Sequence, residues 1–372
     1  MQKNWISLGL MSGTSGDGVD ASIIRTNGIN QYETIKDKYF EYDSDIYKDI
    51  HSLKEKIHKI EHLEMFINEI NDLERKITIF HAEIIKDLNV SNDTLIGFHG
   101  QTIYHSPQEN ISRQLGNGKL LYQLTNKKIV FDFRKNDILN GGQGAPLTPV
   151  FHHLLSVQNK IKLPVCFVNI GGISNFTIVN DSKNFFNLIS KDIGPGNCLI
   201  DNWVRKNSNK KFDENGLIAT SGTRNEIIFE QAQELYMNRE SKKKLSFDTN
   251  DFDISFLRGL SFEDGVTTLT DFTASIIADE LTKSLKDFKE KIGEILFCGG
   301  GRKNKILIKK IKENLSPNII FKLIDDYKID GDFIESQAFA FLAVRTIQQL
   351  PISYPNTTGC KKPCIGGEVI NN

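Results

Sequence analysis

Two well-separated stretches of this chain repeat one pattern, and the repeat constrains the fold more than any other feature. In the first, the apolar run Trp5 to Met11 passes through Ser12-Gly13-Thr14-Ser15-Gly16-Asp17-Gly18 into a second run, Val19 to Ile24. In the second, Val165 to Ile170 passes through Gly171-Gly172-Ile173-Ser174-Asn175 into Phe176 to Val179. Each reads as strand, tight turn and returning strand. Glycine lets a turn visit positive φ and lets a ligand approach the main chain. The N–H groups of such a turn form a concave nest for phosphate oxygens. One loop of this kind is a weak signal, because an ordinary Gly-rich hairpin looks the same. A third stretch adds weight: Ile295 to Cys298 runs into Gly299-Gly300-Gly301-Arg302 ahead of a helix-like segment. Like hairpins plus a late glycine turn predict two related α/β domains facing one nucleotide.

The length of 372 residues also favours two domains over a single core. We place them at 1–160 and 161–372, with the last helix, Phe333 to Ile347, able to pack back on the first. A formal net charge of −1 offers no electrostatic reason to expect nucleic acid or an anionic membrane. No apolar run approaches the ~18 residues of a membrane-spanning helix, and the N-terminus lacks the apolar core of a signal peptide. The cysteines Cys166, Cys198, Cys298, Cys360 and Cys364 are odd in number and scattered, as expected of reduced thiols in a cytoplasmic protein. Cys360 and Cys364 have no partner pair, so no metal is expected there. His58, Glu61 and His62 match an inverted zinc-protease spacing, which arises easily by chance, and no downstream ligand accompanies it.

Between the hairpins, Tyr32 to Tyr42 predicts a third strand. Apolar residues from Ile57 to Ile84 at three- and four-residue spacing predict an amphipathic helix packed on a sheet. Thr94 to Phe98 predicts a short strand that delivers His99 to its carboxyl end, either as a ligand contact or as a satisfied turn residue. The chemically richest stretch is Val130-Phe-Asp132-Phe-Arg134-Lys-Asn-Asp137, followed by Gly141-Gly-Gln-Gly-Ala-Pro-Leu147. Carboxylates and a guanidinium at a strand end suit a polar substrate and a general base; the rival reading is a surface Asp–Arg turn, which seldom needs three glycines.

In the second half, Lys191-Asp192-Ile-Gly194-Pro-Gly-Asn197 is a turn with an acid. It feeds a helix at Cys198, which suits an anion or a plain capped start equally. Ser241-Lys-Lys-Lys244 reads as a solvated basic loop. P-loop, Rossmann and nucleophile-elbow templates are absent.

Taken together, the hairpins and the late turn resemble the actin/hexokinase/heat-shock-chaperone ATPase superfamily. Four segments are similar to the anhydro-N-acetylmuramic acid kinase family: Gly9–Asp20, Asp132–Leu147, Asn169–Asn175 with Asp192–Asn197, and Phe297–Arg302. The resemblance implies two ribonuclease H-like domains with an active-site cleft between them. It implies an ATP- and Mg2+-dependent cytoplasmic enzyme of cell-wall recycling, which opens 1,6-anhydro-N-acetylmuramic acid and phosphorylates O6. Carried over by position, Gly13, Thr14, Ser15, Gly16, Asp17, Gly18, Val19 and Asp20 form the phosphate loop. Gly171 and Gly172, with Gly299, Gly300 and Gly301, complete the ATP site. Asp137 becomes the base that activates water, with Asp132 the alternative, Arg134 close to the sugar, and His99 and Glu335 lining the substrate site. The expected partner is a small sugar, with no nucleic acid or membrane and with a homodimer left open. Another sugar kinase on the same fold and a non-enzymatic nucleotide switch stand as rival readings.

Overall fold

The computed structural model describes residues 3–238, 247, 252–288 and 292–371. The basic run Ser241–Lys244 lies outside the described residues. In chain order the strands are β1 (Trp5–Ser12), β2 (Gly18–Thr26), β3 (Tyr32–Glu41), β4 (Leu95–Ser106), β5 (Ile111–Leu115), β6 (Ile129–Phe131), β7 (Val165–Ile170), β8 (Ile173–Val179), β9 (Ile189–Pro195), β10 (Glu294–Cys298), β11 (Ile320–Leu323) and β12 (Glu368–Ile370).

The chain forms two compact units. The first comprises Met1–Ile161, Asp181–Ile189 and Asp332–Asn372, and the second comprises Lys162–Asn180 and Ser190–Gly331. The first sheet runs β12-β6-β4-β1-β2-β3, with β5 paired to β4; the second runs β11-β10-β7-β8-β9. Leaving out β5 and β12, both follow the same order. In each, the opening hairpin is antiparallel, and its first strand lies parallel to the next strand inward, which is itself parallel to the one beyond. That is the strand order of an actin/hexokinase-like, ribonuclease H-like domain, present in each unit.

In the first unit the period-2 alternation of β1 sorts residues between two covered faces. Leu8 and Leu10 join one apolar cluster with Ile50 and Leu53 of helix Ser44–Lys56 and Ile70, Leu73 and Ile77 of helix Ile67–Asp87. The opposite face presents Ser7 and Gly9 to helix Ile334–Ile347: Ser7 Oγ donates to Ala340 O at 2.8 Å. A Cβ on Gly9 would lie 1.9 Å from Ser336 O, so glycine is what lets this helix rest on the strand. The helix is accordingly buried along nearly its whole length. Segments 332–372 and 181–189 therefore belong with the first unit rather than with everything after 161. Phe185 supplies the anchor for 181–189, stacking on Tyr354 with centroids 5.5 Å apart and packing tilted against His153 at 4.4 Å.

The amphipathic run predicted over Ile57 to Ile84 divides into helices Ile60–Met65 and Ile67–Asp87, and helix Ser44–Lys56 precedes it. His58 falls in the first break and bonds the Glu55 carbonyl, while His62 bonds the Lys56 carbonyl; both are local, exposed contacts. Among the described residues no helix is long and apolar enough to cross a membrane.

Candidate functional site

In the first unit the tip of the β1–β2 hairpin, Gly13 to Asp17, is pinned from three sides. Gly16 N–H donates to Gly13 O at 3.1 Å and Tyr42 N–H donates to Asp17 O at 2.9 Å. Gln101 Nε2 donates to Gly13 O at 3.0 Å, and its own Oε1 lies 2.6 Å from Ser12 Oγ, which accepts from Tyr42 OH at 2.9 Å. Lys54 Nζ donates to Thr14 O at 2.5 Å. With its carbonyls occupied in this way, the tip keeps one shape while Thr14 and Ser15 stay exposed. Asp17 Oδ1 is buried and has no hydrogen-bond partner, a costly arrangement unless something else takes it. Gly18, Val19 and Asp20 belong to β2, with Asp20 half-buried opposite Met11.

His99 does not end a strand, because β4 continues to Ser106 and turns back through β5. Its ring is buried and packs on Phe339 with centroids 4.5 Å apart. Nδ1 lies 2.7 Å from Gly100 O and so carries the proton. Nε2 accepts from Arg134 at 2.9 Å (Nη2) and 3.2 Å (Nε). Burial, reinforced by the neighbouring Arg134 charge, holds His99 well below the usual histidine range, so it is a neutral acceptor. The third arm of Arg134, Nη1, donates to Gly144 O at 2.7 Å. Thus His99, Arg134 and the Gly141–Leu147 loop form one fixed group.

Asp137 lies in the first turn of the short helix Lys135–Leu139 and is fully buried. Its Oδ2 accepts from Gly144 N–H at 2.7 Å; its Oδ1 accepts from Thr358 Oγ1 at 2.7 Å and from the Ser353 hydroxyl. A Cβ on Gly142 would sit 2.1 Å from Oδ2, so the glycine run wraps the carboxylate rather than exposing it. The expected water-activating role does not match this arrangement: both oxygens are committed to donors that hold the loop and the C-terminal tail together.

Asp132 stands at φ +53°, half-buried, with its carboxyl raised by burial and by Glu368 nearby. Its charged neighbours are Glu368, Lys135, Arg113 and Glu74, which form the peripheral pairs Lys135–Glu368 and Arg113–Glu74. Glu335 is half-buried in the first turn of helix Ile334–Ile347, beside the Ser336 carbonyl that faces Gly9.

In the second unit the glycine elements converge. Gly171 O accepts from Asn197 N–H at 2.8 Å, and Gly172 O accepts from Gly196 N–H at 2.9 Å and Cys198 N–H at 3.2 Å. The amides ahead of helix Cys198–Asn207, read as an anion seat or a plain start, are therefore spent on the β7–β8 tip. Gly299, at φ +77°, donates to Gly331 O at 3.2 Å. A Cβ on Gly301 would meet Ile170 Cγ2 at 2.3 Å, whereas one on Gly300 would meet nothing within 4 Å. Gly301 thus presses against the end of β7 while Gly300 faces open space. Arg302 is buried and braces this turn: Nε and Nη2 bind the Asp325 carboxylate at 2.7 and 2.8 Å, and Nη1 donates to Gly299 O at 3.1 Å. The guanidinium holds the Asp325 carboxyl below its usual range.

Two residues before Gly194, Asp192 is buried, and its Oδ2 accepts from Phe247 N–H at 2.8 Å. Sequence reasoning noticed the acid of this turn but gave it no role; its position next to the β7–β8 tip is the signal that singles it out. A separate polar cavity of about 260 Å³ opens among helices Glu226–Asn238, Phe262–Ser284 and Lys305–Glu313, lined by Arg224, Asp271, Ser275 and Lys310 among others. None of the glycine turns borders it.

The sequence profile of the anhydro-N-acetylmuramic acid kinase family matches residues 5–372. A relative from Pelagibacter ubique (strain HTCC1062), named anhydro-N-acetylmuramic acid kinase, is 55% identical over 376 residues, covering 100% of both chains. A relative of the same name from Zymomonas mobilis is 36% identical, covering 98% of this chain and 99% of its own. Among solved structures, component A of (R)-2-hydroxyglutaryl-CoA dehydratase from Acidaminococcus fermentans matches with a TM-score of 0.43 at 13% identity, over 92% of this chain and 99% of that one. The activator of 2-hydroxyisocaproyl-CoA dehydratase from Clostridium difficile, with bound ADPNP, matches with a TM-score of 0.41 at 10% identity, covering 92% of this chain and 96% of that one. With a full-length profile match and these full-length relatives, the chain belongs to the anhydro-N-acetylmuramic acid kinase family.

Proposed function

We propose that this chain opens the 1,6-anhydro bridge of anhydro-N-acetylmuramic acid with water and phosphorylates the freed O6 from ATP, giving N-acetylmuramic acid 6-phosphate and ADP in peptidoglycan recycling. The observation that carries this reading is the 55% identity to a kinase of that name across the whole chain. A cytoplasmic location belongs to the same reading, and self-association as a homodimer is left to a sizing measurement.

In this reading the braced Gly299–Gly301 turn and the Gly171–Gly172 tip hold the nucleotide, and the Gly13–Asp20 hairpin takes phosphate. The room beside Gly300 suits a nucleotide lying against main chain. The orphaned, buried Asp17 Oδ1 suits a metal-bound water. When bound, Mg2+ neutralises charge on the phosphate oxygens.

The reaction needs a base that removes a proton from water as its oxygen adds to C1. The C1–O6 bond breaks, and O6 takes the γ-phosphoryl group as ADP leaves. Because attack and transfer occur on one sugar, the base belongs close to the phosphate-binding turns. Asp192 fits this best: it is buried, oriented by Phe247 N–H, and two residues from the turn packed on Gly171–Gly172. A positioned base contributes about 10²–10⁴-fold. Glu335, half-buried in the first turn of helix Ile334–Ile347, would contact the sugar. His99 and Arg134 act as a fixed wall whose neutral and cationic members keep their roles across the working pH range.

The deciding assay offers ATP with either anhydro-N-acetylmuramic acid or plain N-acetylmuramic acid. ADP release with the anhydro-sugar supports the reading; phosphorylation of the plain sugar alone rejects it.

A further inference from the structure

Cys360 and Cys364 gain from the fold the third ligand that their spacing lacks. Their Sγ atoms and a carboxylate oxygen of Asp137 all lie within 4.8 Å of one another, and all three residues are buried. We propose that these side chains form a binding site for a thiophilic divalent cation of the zinc type, clipping the C-terminal tail to the Arg134–Gly144 loop.

The surroundings resemble those of a site already oriented for metal. Cys364 and Ser353 exchange backbone hydrogen bonds, Cys364 N to Ser353 O at 3.0 Å and Ser353 N to Cys364 O at 3.3 Å. The hydroxyls of Ser353 and Thr358 and the amide of Gly144 fix the Asp137 carboxylate, the kind of outer contact that aims a ligand. Among the described residues no lysine, arginine or histidine forms an ion pair with Asp137, so a buried anion lacks a cation. Burial, the neighbouring thiol and that carboxylate together push Cys364 up to about 12 and also raise Cys360. Two sulfurs and one oxygen suit zinc rather than magnesium or calcium. Water can fill the fourth position. The turn over the site, Gly359 with Lys361 and Lys362, is exposed and provides access.

Binding converts two thiols to thiolates: the cation forms two metal–sulfur bonds and one metal–oxygen bond, and two protons leave to solvent. Affinity should therefore rise with pH. The test uses the full chain, reduced, titrated with Co2+ as a spectroscopic probe and then with Zn2+. The expected result is one Co2+ per chain, with thiolate-to-cobalt charge-transfer absorption, its displacement by Zn2+, and two protons released per metal. The Cys360→Ser/Cys364→Ser pair should lose that absorption, while Cys198→Ser, in the other unit, should keep it. Ser353→Ala, which spares the ligands, should weaken binding roughly 10–100-fold. No stoichiometric cobalt in the natural chain overturns the proposal, as does absorption that persists without both thiols. Because the natural chain is itself decisive, a misfolded variant does not rescue the idea.

Discussion

Ser353 and Asp137, 216 positions apart in sequence, are hydrogen-bonded in the buried interior of the first unit. That one contact explains why the Asp-Phe-Arg-x-x-Asp stretch and the C-terminal tail fold together. It also moves the residue that sequence reasoning placed at the chemistry into the framework that supports it.

Asp137→Asn should be a stability variant. The amide presents N–H₂ where a carboxylate oxygen now accepts, leaving at least one buried donor facing another donor. The expected loss is about 1–3 kcal/mol, read from urea unfolding. Asp192→Asn should behave oppositely, with an unfolding midpoint near that of the natural chain, retained ATP binding and turnover lower by about 10²–10⁴-fold. Full turnover in Asp192→Asn would remove Asp192 as the base.

Adjacent glycines should give unlike results. Gly301→Ala puts a methyl group 2.3 Å from Ile170 Cγ2, and the overpacking should cost about 1–3 kcal/mol and raise the KM for ATP. Gly300→Ala meets nothing within 4 Å and should leave stability close to natural. Equal stability of the two variants in the absence of nucleotide would contradict the packing described.

Arg302→Lys keeps the charge but cannot bind the Asp325 carboxylate through two nitrogens while reaching Gly299 O. Losing one charge-assisted bond of about 1.5–3 kcal/mol should loosen the glycine turn and raise the KM for ATP by roughly tenfold or more. Asp325→Asn should show much the same change, and the double variant little further loss, because both act through one contact. An ATP titration of the three variants checks this.

Acid should destabilise the first unit through its buried imidazoles. Burial lowers His81 to about 4 and His152 to about 3, and His99 falls well below its ordinary value. The unfolded chain protonates these groups near pH 6.5 while the native state leaves them neutral, so the stability is present above that pH. It is lost as pH falls from about 6.5 toward 4, at up to about 1.4 kcal/mol per pH unit for each group. Urea midpoints at pH 7 and pH 5 should show the drop, and His152→Leu should flatten it. A midpoint that rises on acidification would reverse the sign and refute the account.

Short apolar runs bounded by glycine located both hairpins and the strand before Gly299, because strand and turn preferences act over a few residues. The order of the two sheets, by contrast, is set by pairings between distant strands such as β1 with β4 and β7 with β10. The resemblance of Asp132–Leu147 to the kinase family was likewise legible in consecutive residues. What no local pattern could reveal was burial. Asp137 carries the same carboxylate whether it faces solvent or the Ser353 and Thr358 hydroxyls, and only folding brings residues 353–364 against it.

Similarly, Phe333 to Ile347 is recognisable as a helix from spacing, yet its place on β1 depends on the missing side chain at Gly9, far away in sequence. Cys360 and Cys364 are an incomplete pair along the chain and part of a three-ligand cluster in space. Local conformation is governed by near neighbours, so the elements could be read directly. Desolvation and hydrogen-bond partnership are set by distant segments, so the role of each carboxylate was decided only by the tertiary structure.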